Sequence, residues 1–420
     1  MSSHFGRHLA RFVPVAAIAV GIALITAGAP RSRAGDWPQW RGANRDAKAA
    51  DFKAPKTWPK ELTQKWKVTV GDGVATPALV GDKLFVFTRV GDAKSGTEVL
   101  RCLNAGTGKE EWADKYDASF KASADAGFPG PRCSPAVAEG KVVTLGVNGT
   151  LSCVEADSGK KLWRVETKGM PRFHTSSSPI IVDKLVVAQF GGESSGGITA
   201  YDLDTGNEKW KWTDEGTAYA SPVLMTVGET KMLIAETSAS VIGLDLKTGK
   251  LLWKTGFAVT GRGYNSSTPM VDGQTVIFSG TARGTRALKI EKTGDTFAAK
   301  EAWNNKESSV IYNTPVLTAG HVFGLTSNDN LFCVSAETGK TDWTEPLTGG
   351  KGYGSIVAAG DVLLALPPTG QLTVFEPSAK EFNKLASYKV GESATYAYPI
   401  ATGNRIYVKD KTSVILWTVE

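Results

Sequence analysis

The feature that most constrains this chain is a phrase that returns. Residues 200–210 read AYDLDTGNEKW and residues 102–112 read CLNAGTGKEEW. The same order recurs at 153–163 (CVEADSGKKLW), 243–253 (GLDLKTGKLLW) and 333–343 (CVSAETGKTDW). A small residue, a polar residue, a Thr/Ser-Gly pair and a tryptophan keep their places each time. A sixth copy, around Thr293-Gly294, reaches its aromatic late, at Trp303. A seventh, around Ser378-Ala379, has Phe382 where the others have tryptophan. A second marker precedes each copy: Ser/Thr-Pro opening an alternating apolar run, at Pro77, Pro135, Pro179, Pro222, Pro269 and Pro315. Ser355-Ile356 and Tyr398-Pro399 continue the series, with spacings of 58, 44, 43, 47, 46, 41 and 43 residues. Self-similarity at this period means a repeat fold and not a pair of ordinary domains.

Each unit reads as strand throughout. Val137 to Asn148 is apolar and β-branched, and Asn148-Gly149 then supplies a tight hairpin turn. The Thr/Ser-Gly of the motif is another turn, so a unit holds about four short strands. No long segment has helical periodicity. Four antiparallel strands every forty-odd residues describe a propeller blade, and eight openings predict an all-β, eight-bladed β-propeller. The last unit, from Pro399 to Glu420, has room for three strands. Its fourth is expected from the N-terminal stretch Leu62 to Val68, which places Trp66 among the motif tryptophans and removes two exposed sheet edges. Trp66, Trp112, Trp163, Trp210, Trp253, Trp303 and Trp343 are expected to dock blade on blade, each indole N–H reaching a backbone carbonyl. Loss of Trp66 is expected to loosen the ring more than loss of Trp37.

The N-terminus reads as a leader. Arg7, His8 and Arg11 precede an apolar run from Val13 to Ala29, and Ser32-Arg33-Ala34 offers small residues for cleavage. A retained anchor is the alternative, for which Pro14 and about 17 apolar residues make a short span. The expected organisation is a signal peptide at 1–34, an extension at 35–60 and the propeller at 61–420. Export would place the protein in the periplasm or outside the cell, with no stable membrane insertion after cleavage. The net charge is +6, but Arg7, Arg11, Arg31 and Arg33 lie in the leader; 48 basic residues less these four leave 44 against 42 acidic. A near-neutral body of mixed sign gives no reason to expect a nucleic-acid partner.

Beyond the leader stand two histidines, His174 and His321, and four cysteines, Cys102, Cys133, Cys153 and Cys333. No Cys-x-x-Cys or His-x-x-x-His occurs, so a metal site is not expected. Cys102, Cys153 and Cys333 occupy the small place of the motif, where Ala200 and Gly243 stand in other copies. Asp202-Leu-Asp204 lacks the later ligands of a calcium loop and reads as a turn.

The pattern of residues 200–210 resembles the tryptophan-docking motif of the quinoprotein-like propellers, the repeats named after pyrroloquinoline quinone (PQQ). Asp36-Trp-Pro-Gln-Trp-Arg-Gly42 resembles the lead-in of exported members. The resemblance spans roughly residues 36–420 and implies the fold. It leaves function open, because the family holds dehydrogenases and non-enzymatic scaffolds, among them the propeller lipoprotein of the outer-membrane β-barrel assembly machine. The enzyme branch implies PQQ, calcium and an adjacent cysteine pair. No such pair is present here, and no catalytic residue is carried over.

A candidate binding face follows from blade geometry. The links entering the innermost strands share a face with the links between second and third strands, opposite the Thr-Gly turns. Three residues before the marker's second position stand Arg132, Tyr219, Tyr312, Tyr353 and Tyr396, with Arg172, Phe173, His174, Arg262, Tyr264, Asn265, Asn313 and Lys351 near by. These would ring the mouth of the central channel, either as a binding face or as a plug of tyrosines. The expected function is a non-catalytic, monomeric scaffold that binds a protein or peptide of the envelope, without a cofactor. The alternatives are a divergent PQQ- and calcium-dependent dehydrogenase and a glycan or surface-polymer binding module.

Overall fold

The computed structural model describes residues 1–2, 35–92, 95–118, 128–167, 169–192, 194–259, 263–347 and 349–420. The expected leader and Arg262 lie outside the described residues. All that follows concerns the unit Ser32–Glu420. Its described residues form strands and turns without a helix. Eight sheets stand in chain order around a ring. Blades 1 to 7 are built from Ala78–Asp117, Ala136–Glu166, Ile180–Trp212, Val223–Gly256, Met270–Asn305, Val316–Pro346 and Ser355–Lys389. Blade 8 joins Ile400–Thr402, Arg405–Lys409 and Ser413–Thr418 to the N-terminal strand Thr63–Thr69, which pairs antiparallel with Ser413–Thr418. The ring closes as the sequence predicts, with Thr63–Thr69 and the last strand in one sheet.

The motif has a common geometry. Its small residue lies directly across the outer hairpin from its tryptophan, as in Cys102 with Trp112, Ala200 with Trp210 and Cys333 with Trp343. A bulge follows each pair. At Gly243 a Cβ would lie 2.2 Å from the Trp253 indole, so this copy has room for glycine alone, where the others hold alanine or cysteine. The turn glycine belongs to the neighbour's tryptophan. Gly249 takes a φ of +71°, and a Cβ there would meet the Trp210 ring at 2.5 Å. The acid of the motif stabilises the turn. Asp202 accepts from the amides of Asp204 and Thr205 and from the Thr205 hydroxyl. Together with Lys209, these bonds hold its carboxyl down at about 2.

Six of the seven motif indoles donate to the next blade's turn: Trp66 to Ala105 O, Trp112 to Ala156 O, Trp163 to Leu203 O, Trp210 to Leu246 O, Trp303 to Ala336 O and Trp343 to Ser378 O. Trp253 faces Met232 Sδ at 3.3 Å instead. Blade 5 explains the exception: its outer hairpin, Gly284–Thr293 with Thr296–Asn305, is lengthened past the point where the other blades turn. In blade 7 the place across from Val374 is held by Ala386, while Phe382 lies off the strand and packs on Trp343 at 5.8 Å.

The Ser/Thr-Pro marker forms a belt. Ser134 N donates to Ser178 Oγ, Ser178 N to Ser221 Oγ, Ser221 N to Thr268 Oγ1 and Thr268 N to Thr314 Oγ1, at 2.9–3.2 Å. Tyr398 N continues it from blade 8 to Thr76 Oγ1 of blade 1. Each hydroxyl therefore satisfies the buried amide of the blade before it.

The channel is filled by a hub. Residues 36–53 enter among the turns opposite the mouth, rise along the axis and return. Trp37 exchanges backbone hydrogen bonds with Leu79 of blade 1, and Pro38 O accepts from Val137 of blade 2. Arg45 donates to Ser178 O and Pro179 O of blade 3. Trp40 donates to Thr268 Oγ1 of blade 5, and Arg41 to Thr314 O and Pro315 O of blade 6. Lys48–Ala49 adds to the inner strand of blade 7 as a parallel fifth strand. Asp51 accepts from Thr402 and Gly403 of blade 8.

Candidate functional site

The hub stops short of the mouth and leaves a cup of about 290 Å³. Trp40 forms part of its floor, edge-on to Tyr398 at 4.9 Å, among the hydroxyls of Ser221, Thr268 and Thr314. The wall is aromatic and falls into two arcs. Phe173, Tyr219 and Tyr264 meet edge to face at 5.1–5.2 Å, with Tyr264 between the other two. Across the cup, Tyr312 stacks on Tyr353 at 4.4 Å, Tyr353 meets Tyr396, and Tyr396 meets Phe128, the last two at 5.3 Å. These rings stand on the links that enter the inner strands, so the rigid belt just below positions them. Tyr219 is further fixed by its hydroxyl, which accepts from Phe173 N.

The polar part of the wall is sparse. Arg132 is the one charged side chain among the described lining residues. It stands beside blade 2, with Nη2 donating to Phe128 O at 3.0 Å. Asn313 spends its amide on Leu325 O and Gly352 O, so it braces the rim from within. Below the floor lie two buried guanidiniums. Arg41 is bound to Thr314 O, Pro315 O and the Tyr398 hydroxyl, and Arg45 to Ser178 O, Pro179 O and Gln39 Oε1, all of them neutral acceptors. Burial and the neighbouring Arg41 pull the Arg45 guanidinium down to about 9. The axis beneath the cup therefore holds positive charge at neutral pH, and an electron-rich group lowered into the cup meets a favourable potential.

The structure brings Arg132, Tyr219, Tyr264, Tyr312, Asn313, Tyr353 and Tyr396 together on this wall. Others predicted for the face stand apart. Arg172 is exposed, its guanidinium 5.4 Å from the Phe173 ring. His174 is 1% exposed, turned inward at a φ of +65° beneath the loop. Lys351 is exposed on the outer side of Tyr353 and Tyr396. Trp40, Phe128 and Tyr398 complete the cup and were not anticipated as part of it. Trp40 sits in an unrepeated lead-in with Trp37. Two bulky aromatics outside any repeat, followed by Arg41 and Arg45, were the available sign that this segment needs burial inside the ring. All four cysteines are buried and free.

A curated relative, the outer membrane protein assembly factor BamB of Shewanella oneidensis, is 23% identical over 293 residues, covering 66% of this chain and 60% of the relative. The chain thus spans less than two thirds of that protein's length. Among solved structures, the crystal structure of BamB from Moraxella catarrhalis has a TM-score of 0.63 at 16% identity, covering 85% of this chain and 97% of that one. The quinohemoprotein alcohol dehydrogenase from Comamonas testosteroni has a TM-score of 0.64 at 15% identity, covering 92% and 81%. At such identities the structures speak for the fold alone. The family model described as outer membrane protein assembly factor BamB matches residues 56–213 and 193–345, more than half of the chain. By its repeats, its ring of eight blades and this match, the chain belongs to the PQQ-like propeller family described as outer membrane protein assembly factor BamB.

Proposed function

We propose that the protein is an exported, non-catalytic scaffold of the cell envelope, acting in outer-membrane protein assembly, and that it holds a protein or peptide partner at the aromatic cup. The observation that carries this reading is the cup itself: a preformed, mostly aromatic concavity with one arginine and a positive axis beneath. Aromatic side chains with few rotatable bonds give large contact area at low ordering cost, and Tyr and Arg are enriched at binding hot spots. Backbone carbonyls and acidic side chains of a peptide suit the potential. A periplasmic site and a single copy of the chain fit a wheel whose blades leave only short edge strands on the rim.

The dehydrogenase alternative asks for a calcium site at the cofactor. Calcium takes about six to eight oxygen ligands, several of them carboxylates. The described lining of the cup offers no Asp or Glu. The residues present do not fit that pair of groups, and no catalytic step is derived through them.

The test uses the purified protein with Arg132→Ala, Tyr312→Ala and Tyr353→Ala combined. Capture of proteins from envelope extract should fall at least tenfold, with circular dichroism and thermal midpoint close to those of the parent. Undiminished capture by a folded variant would remove the cup from this role.

A further inference from the structure

Blade 6 carries a histidine at a place where blades 1 and 2 carry a lysine. In blades 1 and 2 the first residue of the second strand is a lysine, Lys83 or Lys141. Each reaches across to the next blade's turn, Lys83 to Asp157 at 2.7 Å and Lys141 to Asp204 at 2.8 Å. In blade 6 that place is His321, and at the matching turn of blade 7 stands Ser378. His321 turns instead to its own blade. Its Nε2 lies 3.4 Å from Asp342 Oδ2, and Cys333 Sγ lies 3.8 Å from the same oxygen. One donor atom from each residue falls within 4.8 Å of the others.

Three details point to a cation. The first is spacing. Tetrahedral zinc with ordinary bond lengths sets N···O and S···O edges of about 3.3 to 3.6 Å, close to what these side chains already hold. The second is orientation. His321 Nδ1 lies 2.8 Å from Ala319 O and donates its hydrogen there, which leaves Nε2 as the ring nitrogen facing the cluster. A backbone carbonyl fixing the far ring nitrogen is the usual outer support of a metal-binding histidine. The third is access. Cys333 is fully buried, while the His321 and Asp342 side chains are 25% and 27% exposed, so the cluster has a closed inner side and one open side. Blade 1 supplies an internal control. Cys102 and Glu111 stand there in the same relation, at 3.8 Å, but Lys83 replaces the histidine and its ammonium is engaged elsewhere.

We propose that His321 Nε2, Cys333 Sγ and Asp342 Oδ2 form a site for one divalent cation of the zinc class, with solvent in the fourth position. A thiolate, an imidazole and a carboxylate select such a borderline metal over calcium or magnesium. On binding, the Cys333 S–H bond breaks, its proton passes to solvent and the sulfur bonds the metal, with no change of oxidation state. The open position makes the site an exchangeable one on the rim of the wheel, distinct from the cup. It also revises the expectation, drawn from motif spacing, that the chain holds no metal: the three ligands come from three adjacent strands, and no linear spacing rule would find them.

The test is cobalt titration of reduced, chelator-treated protein. A thiolate-bound tetrahedral cobalt ion gives a near-ultraviolet charge-transfer band and visible ligand-field bands. One equivalent should develop both and be displaced by zinc. His321→Lys installs the residue that blades 1 and 2 carry at that place and Cys333→Ala the residue native at Ala200, so both should fold, which thermal melting checks, and both should lose the bands. Asp342→Asn should weaken binding at least tenfold, and Cys102→Ala should leave the bands intact. Absence of bands in the parent, or bands that survive His321→Lys, overturns the site.

Discussion

Glu236 is fully buried at the end of its strand, and neither carboxyl oxygen has a hydrogen-bond partner. Burial raises its pKa well above the ordinary carboxylate value, and the attraction of Arg283 offsets little of this. A folded-state pKa above the unfolded one means that the native state holds the proton more tightly. The stability this group contributes is complete below the unfolded value and is lost as pH rises towards the folded one. Glu236→Gln, which cannot ionise, should therefore melt close to the parent near pH 4. It should gain on it progressively towards pH 8, by roughly 1–3 kcal/mol, the scale of an unsatisfied buried polar group. Paired thermal melts across that range check the slope; a constant difference would mean that the carboxyl ionises as readily inside the wheel as in the unfolded chain. Nothing in the stretch KMLIAETS marks this glutamate in the sequence. The charge that acts on it, Arg283, stands in blade 5, 47 residues later.

The elements were the most legible part of the chain, because each blade states its turns, its strand alternation and its tryptophan in order. The partners were less legible. That Ser178 precedes a proline is plain, but the amide it serves belongs to Ser134, in the blade before. Ser178→Ala should leave that amide buried and unsatisfied, at a cost of roughly 1–3 kcal/mol. Ser178→Thr should cost far less, since Thr268 and Thr314 fill the same place in their own blades. Urea unfolding of the two variants separates these outcomes, and equal losses would argue that the belt contributes packing and not hydrogen bonds. The cup was legible in part for the same reason. Four of its tyrosines, Tyr219, Tyr312, Tyr353 and Tyr396, recur at a fixed offset from the marker, whereas Tyr264, Phe128 and Trp40 do not.

At the scale of the molecule, the number of blades and their closure follow from counting, and both hold. The hub does not follow, because it occurs once. Trp37 was expected to matter less than Trp66. Burial argues for the opposite order in stability: Trp37 is 2% exposed inside the main core and is tied to blade 1, while Trp66 is half-buried on the rim. Trp37→Ala should cost at least as much as Trp66→Ala, roughly 3–5 kcal/mol, the range for emptying a large aromatic site. Calorimetric melts of both variants check the order. The hub also fixes where the chain enters and leaves. Asp36 is held by the Gly81 amide and Val419 by Asn404, both among the turns opposite the cup. A wheel tethered to a sensor surface through Glu420 would therefore lie with its mouth towards the flowing analyte, and a bulky fusion at that end would leave the tyrosine arcs uncovered.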